Sequence, residues 1–112
     1  MIEETLVGLV ERFNRHARQN PGVREELRGK NRVIQLDLTN GETYHFELRD
    51  GELTFPRTGN GRAPDVRILT DLSTFEGLVR KEIGPIKAMF SGRLRVEATL
   101  EDKILLRRLI SP

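Results

Sequence analysis

The sequence predicts a single α+β domain in which a helix precedes a run of strands and further helices follow. Three observations predict this class. Apolar residues have a helical spacing over residues 2–18, they alternate from Arg32 to Phe55, and strand patterns are interleaved with helix-start signals from Pro64 onwards. At 112 residues the chain is long enough for one hydrophobic core and too short for two. We therefore expect residues 1–112 to form one domain.

The first element is predicted to be an amphipathic helix over residues 2–18. Acidic residues come early in this segment and arginines come late, which matches the helix dipole. Asn20-Pro21-Gly22 ends the helix, and residues 23–28 leave room for one short turn. The apolar residues that recur at spacings of three and four are Ile2, Leu6, Leu9, Val10, Phe13 and Ala17.

The next segment, from Arg32 to Phe55, is predicted to form three strands. A two-residue turn at Asp50-Gly51 would pair Leu48 with Leu53 and Phe46 with Phe55, keeping the apolar residues on one face. At Asn40-Gly41 a two-residue loop would oppose apolar and polar faces, so an odd-length loop or a bulge is expected there. The alternating residues are Ile34, Leu36 and Leu38, then Tyr44, Phe46 and Leu48, then Leu53 and Phe55.

The second half alternates strands with helices after a Gly-rich loop at residues 57–63. A fourth strand directs Val66 and Ile68 inward, and a fifth strand follows Gly92. The helix over residues 72–81 has Asp71 or Ser73 as its N-cap, Gly84-Pro85 breaks the chain, and residues 86–90 resume as a helical turn. Thr99 is the predicted N-cap of the last helix.

Composition argues against several classes of protein. The absence of cysteine excludes disulfides, thiolate metal sites and a cysteine nucleophile. Nineteen basic and seventeen acidic residues are intermixed, whereas a nucleic-acid surface would gather one sign of charge on one face. No apolar run reaches the roughly 18 residues that cross a bilayer, and the acidic N-terminus is unlike a signal peptide. We expect a cytoplasmic protein with no transmembrane segment and no nucleic-acid partner.

No group of residues predicts catalysis. His16 and His45 lie in separate elements, and no further ligands are spaced for a zinc site. Asp65 and Asp71 stand at opposite ends of a strand, roughly 20 Å apart, too far to act as an acid–base pair. The Gly59-Asn60-Gly61-Arg62 loop lacks the pattern of a phosphate loop. We therefore expect no enzyme activity, no catalytic residue, no metal and no cofactor.

Two segments resemble the sterol-carrier-protein-2 (SCP-2) family. Asp65-Val66-Arg67-Ile68 is similar to a strand of that family, and residues 88–96 are similar to its Phe-Met-x-Gly-Lys segment. The order of elements is similar over nearly the whole chain, although Ala98-Thr99 stands where the family often has glycine. The resemblance implies a five-stranded, predominantly antiparallel sheet covered by helices. It also implies an apolar tunnel between sheet and helices that holds a sterol, a fatty acid or an acyl-CoA.

The resemblance also implies a set of site residues. The tunnel would be lined by Phe75, Leu78, Val79, Ile83, Ile86, Met89 and Phe90, with Leu105, Leu109 and Ile110 as a lid. Gly92 would let the chain leave the helical segment without a Cβ clash. From their positive charge, Arg80, Lys81 and Lys87 are candidates to hold an anionic headgroup.

These residues lead to one expected function and one alternative. The expected function is non-enzymatic binding and transfer of a hydrophobic lipid, such as a fatty acid, a fatty acyl-CoA or a sterol-like molecule. The alternative is a protein-interaction module that keeps the fold without a ligand cavity. A partner enzyme and a homo-oligomer both remain open.

Overall fold

The computed structural model describes residues 2–59 and 61–110, with side chains described as far as Arg107. The predicted α+β class is confirmed. The helices are α1 (Ile2–Gln19), α2 (Pro21–Leu27), α3 (Leu72–Val79), α4 (Pro85–Phe90) and α5 (Leu100–Ile110). The strands are β1 (Asn31–Leu38), β2 (Thr43–Arg49), β3 (Glu52–Leu53), β4 (Arg57–Thr58), β5 (Val66–Thr70) and β6 (Leu94–Glu97).

The strands form one sheet in the order β3-β2-β1-β5-β6, and β4 pairs with β2 beside β3. All of these pairs are antiparallel except β1 with β5, where Ile34 lies opposite Val66 and Leu36 opposite Ile68. The predicted, mostly antiparallel sheet is therefore confirmed, with its third strand split into β3 and β4. One hydrophobic core joins the inward face of this sheet to buried residues of all five helices, with Ala88 as the contribution of α4.

The split of the third strand corrects one predicted pair. Leu48 lies opposite Leu53 as expected, but the register shifts by one residue before β4, where Tyr44 lies opposite Thr58. Phe55 falls in this bulge and is 60% exposed, so it does not pair with Phe46. The physical reason is the next residue, Pro56, which has no backbone N–H to donate to the ladder.

In the turns, one other local prediction is confirmed and one is corrected in its physical reason. The β1–β2 connection has an odd length, because Leu38 N–H donates to the Glu42 carbonyl at 2.9 Å and three residues lie between them. Gly92 does lie where the chain leaves α4, but its role is conformational. Its φ of +80° lies in the left-handed region, and a Cβ there would meet no atom within 4 Å.

Side-chain caps fix the starts of two helices that border the site. Asp71, and not Ser73, caps α3, since its carboxylate accepts hydrogen bonds from the backbone N–H and the hydroxyl of Thr74, both at 2.7 Å. Thr99 caps α5 by accepting from the backbone N–H of Asp102 at 3.1 Å. None of the helices in the described part of the chain has the length and apolar composition of a membrane span.

Replacing Asp71 with Ala is expected to lower the free energy of unfolding by about 1 kcal/mol, because α3 loses its cap. The Thr74 backbone hydrogen bond lowers the pKa of Asp71 below its ordinary value. The stabilisation is therefore complete above the unfolded-state pKa of about 3.9 and is lost as the pH falls through the lower folded-state pKa. Urea unfolding should show that the deficit of the variant shrinks below about pH 4. Asp71→Asn, which still caps, should stay within about 0.5 kcal/mol of wild type at neutral pH; a deficit equal to that of Asp71→Ala would contradict this account.

Candidate functional site

An apolar cavity of about 50 Å³ lies inside the core, between the sheet and the helices. Its walls come from α1, from the inward residues of the sheet, and from α3 and α5. The lining residues are Leu9, Ile34, Leu36, Phe46, Leu53, Ile68, Phe75, Leu78, Val79, Leu94 and Leu106. A water molecule occupies about 30 Å³ of liquid, and a wall without polar groups gives it no partners, so a cavity like this stays dry.

A second, larger apolar space is an open groove of about 720 Å³ where α4, β6 and α5 meet. Most of its lining residues are apolar, and three are cations: Lys87, Lys103 and Arg107. Its other lining residues are Gly84, Pro85, Ile86, Met89, Phe90, Leu94, Val96, Ile104 and Leu106. Among the residues that the structure describes, no carboxylate lines this groove.

Leu94 and Leu106 line both spaces. Both side chains are buried, at 3% and 6% exposure, and they come from β6 and α5 respectively. They therefore form the wall between the inner cavity and the outer groove. A displacement of these two side chains, or of α5 as a whole, would join the two spaces into one passage.

The predicted tunnel residues divide between the two spaces. Phe75, Leu78 and Val79 line the inner cavity, whereas Ile86, Met89 and Phe90 line the outer groove. Two further predicted residues pack elsewhere. Ile83 contacts α3 at Gly77, where a Cβ would lie 2.7 Å from its Cγ1, and Leu105 is buried in the core. The side chains of the last two predicted residues, Leu109 and Ile110, lie outside the described part of the chain.

The candidate headgroup residues also lie in different places, one in the groove and two outside its lining. Lys87 lies in the groove, on α4. Arg80 instead forms ion pairs with Glu76 at 3.5 Å and with Glu82 at 4.0 Å. Lys81 follows α3 with a positive φ of 62°.

The sequence reasoning missed two cations of the groove, Lys103 and Arg107. Their sequence signal was a spacing of four on α5, with Ile104 next to Lys103. That spacing places both cations on one side of the helix, where they line the groove with Ile104 and Leu106, whereas Leu105 is buried in the core. The sequence did not show which side of α5 is buried.

Polar contacts near its first turn hold α5 on the sheet. Arg32 of β1 donates to the Asp102 carboxylate from Nε at 2.7 Å, with the two side chains 24% and 8% exposed. This hydrogen bond raises the pKa of the Arg32 guanidinium. Lys30 adds a looser ion pair to Glu101 at 3.6 Å. We refer to the Arg32–Asp102 pair as the α5 latch.

The residues considered for catalysis have structural contacts. Asp65 accepts a hydrogen bond from the Val33 backbone N–H at 2.8 Å, and Asp71 caps α3. His45 Nδ1 lies 2.7 Å from the carbonyl oxygen of Gly59 on an exposed loop. In the described part of the chain, no three His, Asp or Glu side chains are placed to hold a metal ion.

The sequence also matches the model of a known protein family. The SCP-2 sterol transfer family matches residues 11–101, which are most of the chain. The chain belongs to this family. Comparison with the curated proteins finds no match to this SCP-2 sequence.

Solved structures share the fold of this SCP-2 domain. The UbiJ-SCP2 ubiquinone synthesis protein is 16% identical with a TM-score of 0.67, over 92% of this chain and 90% of that one. The palmitated SCP2L2 of Aedes aegypti is 18% identical with a TM-score of 0.65, over 93% and 92% of the two chains.

A larger enzyme contains the same fold. A stereoselective inverting sec-alkylsulfatase from Pseudomonas sp. is 17% identical with a TM-score of 0.63. The likeness covers 77% of this chain but only 13% of the sulfatase. At these identities the three structures show a shared fold alone.

Proposed function

We propose that this SCP-2 domain binds and transfers a lipid without catalysis, and that the apolar chain of the lipid lies in the groove between α4, β6 and α5. The observation that supports this most directly is the groove itself, about 720 Å³ of mainly apolar space adjoining the inner cavity through Leu94 and Leu106. Sites for small molecules typically measure roughly 300–1,000 Å³, so the groove has the size for a lipid chain. The inner cavity, at about 50 Å³, does not.

The driving force for this binding would be removal of the chain from water. Each buried methylene contributes about 0.8 kcal/mol, so ten methylenes contribute roughly 8 kcal/mol before ordering costs. The groove supplies apolar partners for such a chain in Ile86, Met89, Phe90 and Ile104. A flexible thioether such as Met89 adapts to chains of different shape.

The charges of the groove favour an amphiphile with an anionic headgroup. Lys87, Lys103 and Arg107 are its charged residues, and none of them forms an ion pair with another residue that the structure describes. A carboxylate or phosphate would therefore meet cations that are not paired with any described carboxylate. The palmitated state of the Aedes aegypti SCP2L2 supports a fatty acid as the first ligand to test. A fatty acyl-CoA and a sterol-like molecule are the next ligands to test. A cytoplasmic location is also part of this proposal.

Native mass spectrometry of the purified protein, alone and with added palmitate, tests the proposal. The expected result is a one-to-one complex whose lipid is released and identified on denaturation. A clean protein mass with no uptake of palmitate, palmitoyl-CoA or cholesterol would contradict it. That result would favour the alternative of a protein-interaction module, which the small volume of the inner cavity also favours.

Reversing the charges of the groove should separate headgroup binding from chain binding. Lys87→Glu with Lys103→Glu is expected to weaken palmitate binding by at least about tenfold and to leave binding of hexadecanol, which has no charge, nearly unchanged. Arg80→Glu with Lys81→Glu is the matched control, because these residues lie outside the groove lining. Equal losses for palmitate and hexadecanol, or an equal loss in the control, would contradict the headgroup assignment. Isothermal titration calorimetry below the micelle concentration provides the affinities.

A further inference from the structure

Exposed apolar residues of this domain are concentrated on two helices. Among the described residues, six large apolar side chains are exposed, and five of them belong to α4 and α5. Phe90 is 89% exposed and Leu100 is 75% exposed, which is unusual for such side chains on two adjacent helices. The other three are Ile86, Met89 and Ile104. The sixth exposed residue, Phe55, lies in the β3–β4 bulge.

Helix α5 has two apolar sides. Leu105 and Leu106 are buried in the core, whereas Leu100 and Ile104, four residues apart, share the exposed side. Lys103 and Arg107 lie on that same exposed side, next to Ile104. The outer side of α5 is therefore a stripe of apolar residues and cations, the pattern of helices that lie at a membrane surface.

The charged side chains that line the groove on this surface have one sign. Most described arginines outside it pair with a carboxylate, for example Arg18 with Glu52 at 3.1 Å and Arg95 with Glu97 at 3.2 Å. Lys87, Lys103 and Arg107 form no such pair with the residues that the structure describes, and no carboxylate among those residues lines the groove. The surface therefore combines exposed apolar side chains with three cations that no described carboxylate of the groove lining neutralises. Glu101, next to Leu100 on α5, pairs with Lys30 at 3.6 Å.

We propose that the outer side of α4 and α5 docks on an anionic lipid bilayer, with Phe90, Ile86 and Leu100 inserted among the acyl chains. Lys87, Lys103 and Arg107 would lie at the level of the headgroups, their apolar stems following the inserted residues. Each basic residue near an anionic membrane surface strengthens binding about fivefold. This docking goes beyond the proposed function and does not depend on it. It would place the mouth of the groove against the bilayer.

The positive charge of this surface favours an anionic bilayer over a second copy of the chain as its partner. A symmetric dimer through this surface would place the same three cations of each copy opposite those of the other, and like charges in an interface are unfavourable. Lysine is also depleted in protein interfaces, whereas lysine at a membrane surface keeps its ammonium group among the headgroups. An anionic bilayer offers both an apolar interior and negative charge to this surface.

Vesicle co-sedimentation of the full chain tests the docking. Wild type is expected to sediment with vesicles of equal parts phosphatidylcholine and phosphatidylglycerol, and far less with pure phosphatidylcholine. Leu100→Ser should weaken binding to the anionic vesicles about tenfold, and Lys87→Glu with Lys103→Glu at least twentyfold, about fivefold for each cation lost. Phe55→Ser is the apolar control, and Arg12→Glu with Arg57→Glu is the charge control, since these exposed residues lie on α1 and β4.

Docking and lipid carriage can fail separately. Leu100 is absent from the groove lining, so Leu100→Ser should leave palmitate binding in solution unchanged while vesicle binding falls. Vesicle binding without any palmitate uptake would uphold the docking and contradict the proposed function. Failure of wild type to sediment with anionic vesicles, or equal losses in the control variants, would overturn the docking. A concentration-dependent dimer that Leu100→Ser disrupts would also overturn the docking, because that result identifies a second copy of the chain as the partner of this surface.

Discussion

Replacing Arg32 with Met is expected to lower the free energy of unfolding by about 2–3 kcal/mol, because it removes the cation of the α5 latch and leaves Asp102 buried and unpaired. The side chain of Asp102 is only 8% exposed, so water replaces little of the lost partner. Methionine keeps a long apolar side chain in place of the arginine stem, which confines the change to the charge. Urea unfolding measures the loss.

The α5 latch also predicts which part of the structure loses stability in Arg32→Met. Hydrogen exchange should become faster in the amides of α5, since the latch joins that helix to β1, while the amides of α1 remain protected. Arg28→Met is the control, because it breaks the exposed Arg28–Glu25 pair and should cost no more than about 0.5 kcal/mol. If the two variants lose the same stability, the latch does not hold α5.

The second large effect is expected for Leu106→Ala, which opens the wall between the cavity and the groove. Truncating a buried leucine typically costs about 2–4 kcal/mol of stability. The same change joins the cavity of about 50 Å³ to the groove and leaves room for about three more methylenes of a bound chain. We expect the affinity for a long-chain fatty acid to rise by up to about sixtyfold, and the affinity for a short-chain acid to change little.

Leu48→Ala separates this effect from simple destabilisation. Leu48 is fully buried on β2 and lies outside the lining of both spaces. Its truncation should cost similar stability without changing the affinity for either acid. Two results would show that the wall formed by Leu94 and Leu106 does not limit the length of the bound chain. One is a gain of affinity in Leu48→Ala, and the other is a gain in Leu106→Ala that is the same for long and short acids.

Much of the fold could be predicted because local signals were strong. The apolar spacing gave α1, and the turn at Asp50-Gly51 set the pairing of Leu48 with Leu53. The parallel pairing of β1 with β5 could not be predicted from the residues, because Val66 and Ile68 alternate in the same way in either direction. The split third strand depended on Pro56, whose missing donor outweighed the apolar pattern that included Phe55.

Less of the candidate site could be predicted from the sequence. The apolar residues of α3 and α4 are similar in kind, yet Phe75 lines an internal cavity whereas Phe90 is almost fully exposed. Periodicity places residues on the faces of a helix but does not tell which face is covered. The sequence of α5 contains six large apolar residues, so the apolar pattern alone did not place Lys103 and Arg107 in the groove; the packing of the other elements was also required.

The most direct test of the central claim is to locate a bound chain on the protein. Isotope-labelled protein is titrated with a fatty acid that carries a spin label near the end of its chain, and the broadening of backbone amide signals is recorded by NMR. The account predicts that broadening is strongest in α4, in β6 and in α5 around Ile104, with weaker effects in α2. No broadening, or broadening centred on the β2–β3 edge of the sheet, would contradict the claim that the groove holds the lipid.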